Sequence, residues 1–469
     1  MDDMNNATGA APTMYGREQA LELLADVLRL APADEAEATL LVEDQALTRF
    51  ANSAIHQSVI QSNARLAVRA VVNGGVGLAL TNRLDREGRR WAAEQAAALA
   101  RLQPPDPKFP GLPAGGAVRE VTSYWEATAA MTAAQRAEVV GTVVRAAARL
   151  GFTATGAFST EEGELAIANT AGVAAYAPLT LASLRTVIDA HPPQGLGFLT
   201  GYADTISRDV NQIDPQAVAE RAVDKCARNR DPQPLPPGPY VTVLEEIAVA
   251  DLLHFLAQQG LSAQAAQEGR SFAVGKMDRQ VCGSNLTLWD DATDPRGLAV
   301  PFDWEGVPTQ ALTLIECGVL RGLAYDSRCA AKEGRASTGH APSHIPDYAS
   351  RWPAPTHLFV APGQVPREAL IAEVEQGVLV TRFHYTHCPD PQRVVATGTT
   401  RDGTFLIEQG RVTGALRNLR FTQSVLDTLS NIEAIGDRPE LHRDWWSSAA
   451  HYAPAMRICG FQFTGGTTF

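Results

Sequence analysis

Paired cysteines, long apolar runs and an excess of positive charge are all missing from this 469-residue chain, and each absence excludes a class of protein. The six cysteines (Cys226, Cys282, Cys317, Cys329, Cys388 and Cys459) never fall in CxxC spacing. That argues against a zinc ribbon and a disulfide framework alike, and predicts reduced, mostly buried thiols. No run approaches the ~18 apolar residues that a membrane span requires, so no membrane is expected as a partner. Acidic residues outnumber basic ones by 52 to 40, a net charge of −12. Nucleic-acid binding is largely neutralisation of phosphates by Lys and Arg, so no nucleic acid is expected either. The opening Met1-Asp2-Asp3-Met4-Asn5-Asn6 is acidic and polar where a secretory leader is basic and then apolar, and the expected compartment is the cytoplasm.

At this length more than one core is expected. Two proline-rich joints divide the chain, from Gln103 to Pro113 and from Asp231 to Pro239. Before the first, Leu21, Leu24, Val27 and Leu28 recur at helical spacing between Arg17 and Leu30, and Leu84 to Leu102 also reads as a helix. Arg65 to Val72 and Val76 to Leu80 flank Asn73-Gly74-Gly75 and predict a hairpin. Between the joints, helices are predicted from Thr132 to Leu150 and from Pro215 to Arg228, capped by Thr132 and Asp214. Short strands are expected at Thr153 to Ser159, Glu164 to Asn169 and Leu179 to Ile188. After the second joint, Tyr240 to Leu244 alternates as a strand and Ile247 to Gln259 reads as an amphipathic helix. From Ser271 onward, glycine, threonine and short apolar runs dominate. The fold class is therefore α+β, an N-terminal α+β half of two mixed sub-domains (17–105 and 118–230) followed by a β-rich C-terminal domain (238–469). The two N-terminal units resemble one another in element size, without a register that proves a duplication.

Several groups could carry chemistry. His254 lies on the apolar stripe Val249, Leu252, Leu253 and Leu256, where a lone histidine reads as a hydrogen-bonded core or interface residue. His340 and His344 are four apart, but Gly339 and Pro342 rule out the helix that would make the spacing meaningful. In His384-Tyr385-Thr386-His387-Cys388, a strand would place Cys388 with His384 and leave His387 on the other face, ending at the Pro389-Asp390-Pro391 turn. Asp290 and Asp291 point apart on a strand. Asp303 and Glu305, two apart, would on a strand share a face and hydrogen-bond a loop or a peptide, and a structural loop anchor is favoured over acid/base catalysis, with Gly306 supplying a turn. In Thr399-Thr400-Arg401-Asp402-Gly403-Thr404, Arg401 can offer a forked bond to a carboxylate, and the threonine hydroxyls can cap backbone groups. Its alternative is an internal pairing of Arg401 with Asp402 or Asp303.

Read together, Asp251 to Gln259, Pro301 to Thr309, Leu314 to Leu320, Ser337-Thr338-Gly339, Thr399 to Phe405, Leu406 to Gly410 and Leu419 to Thr422 resemble the TldD/PmbA family. TldD members of that family carry HExxxH where this chain has His254, and a cysteine ligand late in the chain. Here Phe255 stands for the Glu, Gln259 for the second His, and no Cys lies between Asp437 and Met456. The resemblance therefore implies the TldE (PmbA) branch, a chain with no catalytic residues or metal ligands of its own. Zinc would be held by a TldD-like partner in a heterodimer that cuts unfolded peptides, so enzyme status would belong to the complex. Asp303, Glu305, Thr399, Thr400, Arg401, Asp402 and Thr404 become candidates for holding the peptide or the partner. An independent hydrolase built on His387 and Cys388, and a non-catalytic homodimeric binding or adaptor protein, are the other readings. The charge balance weighs against taking the family's older label, modulator of DNA gyrase, as direct DNA binding.

Overall fold

The computed structural model describes residues 14–190, 199–345, 352–443 and 449–467. The acidic opening at Met1 to Asn6 lies outside them, as does part of the Asp437–Met456 interval. Among the described residues no helix is long and apolar enough to cross a membrane. None of the six cysteines forms a disulfide, though only Cys226, Cys282 and Cys329 are fully buried.

The N-terminal half contains helices α1 (Gly16–Leu30), α2 (Arg86–Leu102), α3 (Glu126–Ala129), α4 (Ala133–Ala148) and α5 (Pro215–Arg228). Its strands are β1 (Glu35–Ala51), β2 (Ala54–Val72), β3 (Gly75–Thr81), β4 (Thr153–Asn169), β5 (Ala174–Asp189) and β6 (Thr200–Ser207). They form one antiparallel sheet in the order β3-β2-β1-β4-β5-β6. The series helix, three-strand meander, helix occurs twice, as α1-β1-β2-β3-α2 and α4-β4-β5-β6-α5, with β1 and β4 paired at the centre. The repetition that the sequence suggests only by element size is thus explicit in the topology.

Local chemistry explains these elements. Asn73 and Gly74 take positive φ, 49° and 78°, in the turn between β2 and β3. Thr132 and Gln135 close a capping box on α4, and Asp214 caps α5 with Pro215 in its first turn. The face of α2 is alanine (Ala92, Ala93, Ala96, Ala97 and Ala100, none exposed), so the helix lies close over β3. A Cβ on Gly77 would come within 2.2 Å of the Ala96 carbonyl oxygen. The two short strands expected around Thr153 and Glu164 are one 17-residue strand, because β1 and β5 pair with it across its polar middle.

All four long helices cover one face of the sheet, through two clusters centred on Leu24, Leu40 and Leu66 and on Phe158, Leu184 and Val143. The opposite face presents Leu41, Leu165, Ile167 and Ala175 to Phe302, Trp304 and Ile345 from the C-terminal domain.

That domain begins with β7 (Gly238–Leu244) and α6 (Glu246–Phe255). Its further strands are β8 (Leu288–Asp290), β9 (Leu312–Glu316), β10 (Val319–Leu320), β11 (His357–Val360), β12 (Gln376–Asp390) and β13 (Val395–Glu408), then β14 (Arg411–Ala415), β15 (Leu419–Ser424), β16 (Ile432–Ile435), β17 (Glu440–Arg443), β18 (Ala450–Ala453) and β19 (Met456–Gly466). One sheet runs β10-β9-β8-β11-β18-β17. In the other, pairings pass from β12 to β7, β19, β15 and β13 and return to β12, closing a five-stranded ring that hides strand edges. Phe383, Phe421, Phe461 and Phe463 pack together in its core, Phe383 and Phe421 with ring centres 4.4 Å apart. The fold is α+β, with the strand-rich region C-terminal.

Candidate functional site

The helix expected to run to Gln259 instead changes its winding. α6 ends at Phe255 and continues into a π turn, Leu256–Gly260, in which Leu261 N donates to Leu256 O at 3.1 Å. In α geometry two residues five apart lie about 140° apart around the axis. Winding with i→i+5 bonds moves such residues toward one face. The helix here thus has the shape that an HExxxH spacing demands, while Phe255 packs on the C-terminal core and Gln259 offers an amide.

His254 does not stand by itself. Its ring centre lies 5.9 Å from that of His451 on β18 and 5.7 Å from that of Phe255. His451 is 2% exposed, and neither of its ring nitrogens has a hydrogen-bond partner among the described residues. Burial, reinforced by the His254 ring, pushes its pKa down to about 3, so it is a neutral imidazole. Sequence reasoning missed His451 because it sought a sulfur ligand in that interval, and a lone histidine on a four-residue strand has no spacing signature. Two imidazoles fall short of a catalytic zinc site, which takes three protein ligands. Among the described residues no three His, Cys, Asp or Glu side chains converge as a metal would require. The donors described around this helix thus fall short of a zinc set.

A cavity of about 190 Å³ separates the sheet face of β1, β4 and β5 from loops of the C-terminal domain. Asp290 forms part of its wall and accepts from His357 N at 2.6 Å, while His340 Nε2 lies 3.0 Å from Asp290 Oδ1. Burial opposes ionisation of Asp290, but the His340 and His357 contacts outweigh it and lower its pKa. His340 Nδ1 faces the Thr338 carbonyl at 2.9 Å, so both ring nitrogens are engaged and no free base is left.

Asp303 and Glu305 sit in a turn and anchor a loop, so the strand that would put them on one face does not form. Gly306 at φ 71° reverses the chain, and Asp303 accepts from Glu305 N, Val307 N and Ala341 N at 3.0, 2.9 and 2.8 Å. Glu305 reaches Arg69 at 3.2 Å, and Arg69 also holds Glu37 at 2.8 Å. Two buried carboxylates, Glu37 and Glu305, share one guanidinium, and Asp303 lies beside Glu305. Burial and the neighbouring Glu305 raise the Asp303 pKa, whereas Arg69 overcomes burial and lowers that of Glu305. The group ties loop 301–309 to the N-terminal sheet.

The Thr399–Thr404 segment is also turned inward. Thr404 Oγ1 donates to Thr400 Oγ1 at 2.7 Å, Leu419 N donates to Thr400 Oγ1 at 2.8 Å, and Thr399 Oγ1 donates to the His384 carbonyl at 3.3 Å. Asp402, 2% exposed with φ 55°, accepts from Arg382 Nε at 2.6 Å and from Thr200 Oγ1 at 2.5 Å. Arg401 is partly exposed, its Nε 3.8 Å from Asp402, whereas Glu305 carries the Arg69 link in the Asp303 turn. None of these residues lines the cavity, which Asp303 does. On β12, His384 and Cys388 are half-buried and His387 is exposed, with His387 Nδ1 3.5 Å from the Tyr385 carbonyl. Burial pushes the Cys388 thiol up to about 11, the opposite of an activated nucleophile.

Residues 237–465 match the sequence profile described as the PmbA/TldA metallopeptidase C-terminal domain, and residues 39–100 match that of PmbA/TldA metallopeptidase domain 1. A Metalloprotease TldD homolog of Haemophilus influenzae is 26% identical over 248 residues, covering 52% of this chain and 49% of that protein. The Metalloprotease PmbA homolog of the same organism is 28% identical over 265 residues, 55% of this chain and 54% of that one. The chain thus spans about half the length of the curated relatives it matches. The fold is that of TldE from Thermococcus kodakarensis, with a TM-score of 0.84 at 22% identity over 95% of this chain and 100% of that one. With both domain profiles matched in order, the chain belongs to the TldD/PmbA family.

Proposed function

We propose that this chain is the TldE/PmbA-like subunit of a TldD/TldE-type metallopeptidase complex, a cytoplasmic partner that carries no zinc and helps to hold an unfolded peptide for cleavage. The observation that carries this reading is the junction of α6 and the π turn: its winding suits HExxxH, yet Phe255 can neither coordinate nor take a proton, and Gln259 is not an imidazole. A missing general base by itself removes roughly 10²–10⁴-fold in rate.

A mode of peptide binding is supported by β2. Among the described residues its stretch Ala54–Arg65 pairs only with β1, and Ile55, Val59 and Ile60 are exposed along it. Such an edge can accept an extended peptide as an added strand. Arg401, partly exposed, is the remaining polar candidate for the peptide or the partner.

The test mixes the purified chain with a TldD-like protein from the same host and follows cleavage of an unfolded peptide. Activity is expected in the mixture, zinc is expected in the partner fraction by elemental analysis, and the chain alone should be inert. Robust cleavage by the chain alone, abolished by Cys388→Ala or His387→Ala, would instead make it an independent hydrolase. A stable homodimer that never engages the partner would make it an adaptor.

A further inference from the structure

The cavity between the two halves contains one charged group that the fold leaves uncompensated. Arg208, just past the end of β6, lines this cavity and is 8% exposed. Its Nη1 donates to the Thr180 carbonyl at 2.9 Å and its Nη2 to the Leu298 carbonyl at 3.2 Å, so the side chain bridges the sheet and a C-terminal loop. Its Nε has no hydrogen-bond partner among the described residues, and no described carboxylate lies within salt-bridge distance. Burial, with the charge of Arg443, pulls its pKa down to about 10, and the attraction of Glu161 does not offset this. The guanidinium still stays charged at neutral pH.

Six acidic side chains also line the cavity, Asp290 and Asp303 with the contacts given above. Glu43 pairs with Arg65, Glu161 accepts from Gln45 at 3.1 Å, Glu162 from the Tyr124 hydroxyl at 2.8 Å and Glu164 from Tyr15 N at 2.7 Å. Arg443, Glu161 and His357 are the charged or titratable groups that act on Arg208, and Leu179, Leu181, Leu298, Phe302 and Trp304 make up much of the apolar wall. A buried cation without a salt-bridge partner is costly, and a chamber that sets such a group beside apolar side chains favours an amphipathic anion. At ~10–15 Å³ per water-sized sphere, the 190 Å³ chamber takes on the order of a dozen non-hydrogen atoms.

We propose that this cavity is a binding site for a monocarboxylate carried on a small apolar body, with the carboxylate on Arg208 and the body against Leu179, Leu181 and Phe302. The terminal residue of a peptide and a free branched-chain acid share this chemistry. The site belongs to the isolated chain and does not rest on the peptidase reading, so the two can fail separately.

The test titrates the full chain with acetyl-leucine, acetyl-leucinamide and 4-methylpentanoate, read by calorimetry and by the fluorescence of Trp304 and Trp352 in the wall. Saturable binding of acetyl-leucine is expected, with the amide and the Arg208→Met variant each weaker by roughly ten- to a hundredfold, the range of a charge-assisted hydrogen bond. If acetyl-leucine binds and 4-methylpentanoate does not, the source is a peptide terminus; equal binding of the two means a free acid, and either result supports the site. Equal binding of acid and amide, no binding of either acid, or unchanged binding by folded Arg208→Met would overturn it. Should Arg208→Met fail to fold, Leu179→Phe, which fills the chamber and leaves the guanidinium in place, must abolish binding. Undiminished binding by that variant would overturn the proposal as well.

Discussion

Replacing Arg69 by methionine tests whether the two halves are joined by a buried charge cluster. On the sheet, Arg69 stands directly opposite Glu37 in the register of β1 and β2, and it reaches across to Glu305 in the turn of the C-terminal domain. The three side chains are 10%, 1% and 7% exposed. Methionine fills much of the same volume but leaves two buried carboxylates without a cation. Breaking a buried pair in this way costs about 3–5 kcal/mol. The matched control is Arg145→Met, whose partner Glu138 is 76% exposed and whose own side chain is 60% exposed, for which less than ~1 kcal/mol is expected.

The pH dependence has a definite sign. In the native chain burial works to raise the Glu305 pKa, but Arg69 prevails and lowers it, so this stabilisation is complete above the unfolded value of ~4.3 and fades as pH falls through the lowered native value. In Arg69→Met only the Ser327 hydrogen bonds still oppose burial of Glu305, whose pKa rises, while that of Glu37, already raised by burial, rises further, so the variant loses stability as pH climbs above that same unfolded value. The gap between the two proteins should therefore widen from pH 5 to pH 8. Chemical denaturation of both chains at the two pH values measures it. A loss below about 1 kcal/mol, or a gap that is the same at both pH values, would refute the assignment of Arg69 as the counter-charge of this cluster.

Gly403 has φ 127°, and a Cβ there would lie 2.7 Å from Thr381 Oγ1 and 2.8 Å from the Phe405 ring. Gly403→Ala should cost about 1–3 kcal/mol, seen as a lower melting temperature, and a melting curve like that of the parent would contradict the strained turn. The double substitution Phe255→Glu and Gln259→His adds a base and an imidazole to the His254–His451 pair; it should take up zinc that is lost again with His451→Ala, read by elemental analysis. Without the partner it should still cleave no peptide, since nothing orients the new ligands, and zinc uptake indifferent to His451 would show that the third nitrogen lies elsewhere.

Much of the fold was legible because its determinants are local. Asn73-Gly74, Thr132 with Gln135, and Asp214-Pro215 announce a turn and two helix starts by their own stereochemistry, and each occurs where expected. The family was legible through ordered short motifs and the substitutions at 255 and 259. Less legible were features that depend on what comes to rest beside a residue. A loop anchor at Asp303 and a turn at Gly306 were legible, but the Ala341 donor to Asp303 and the Arg69 link of Glu305 come from segments remote in sequence. The threonines around Arg401 looked available to a ligand, and their hydroxyls turn out to be spent on one another and on the backbone.

What the sequence alone determined is the α+β class, the missing second histidine and glutamate, and the reach of the family motifs, since all of these are properties of residue type and spacing along the chain. Tertiary structure decided the rest. The π winding after Phe255, the meeting of His254 with His451 from nearly two hundred positions away, and the enclosure of Arg208 between β6 and the Leu298 loop exist only once β18 lies beside β11 and the sheet closes on the C-terminal domain. The physical reason is that a side chain's chemistry is set by burial and by neighbours distant in sequence, and no local spacing encodes either.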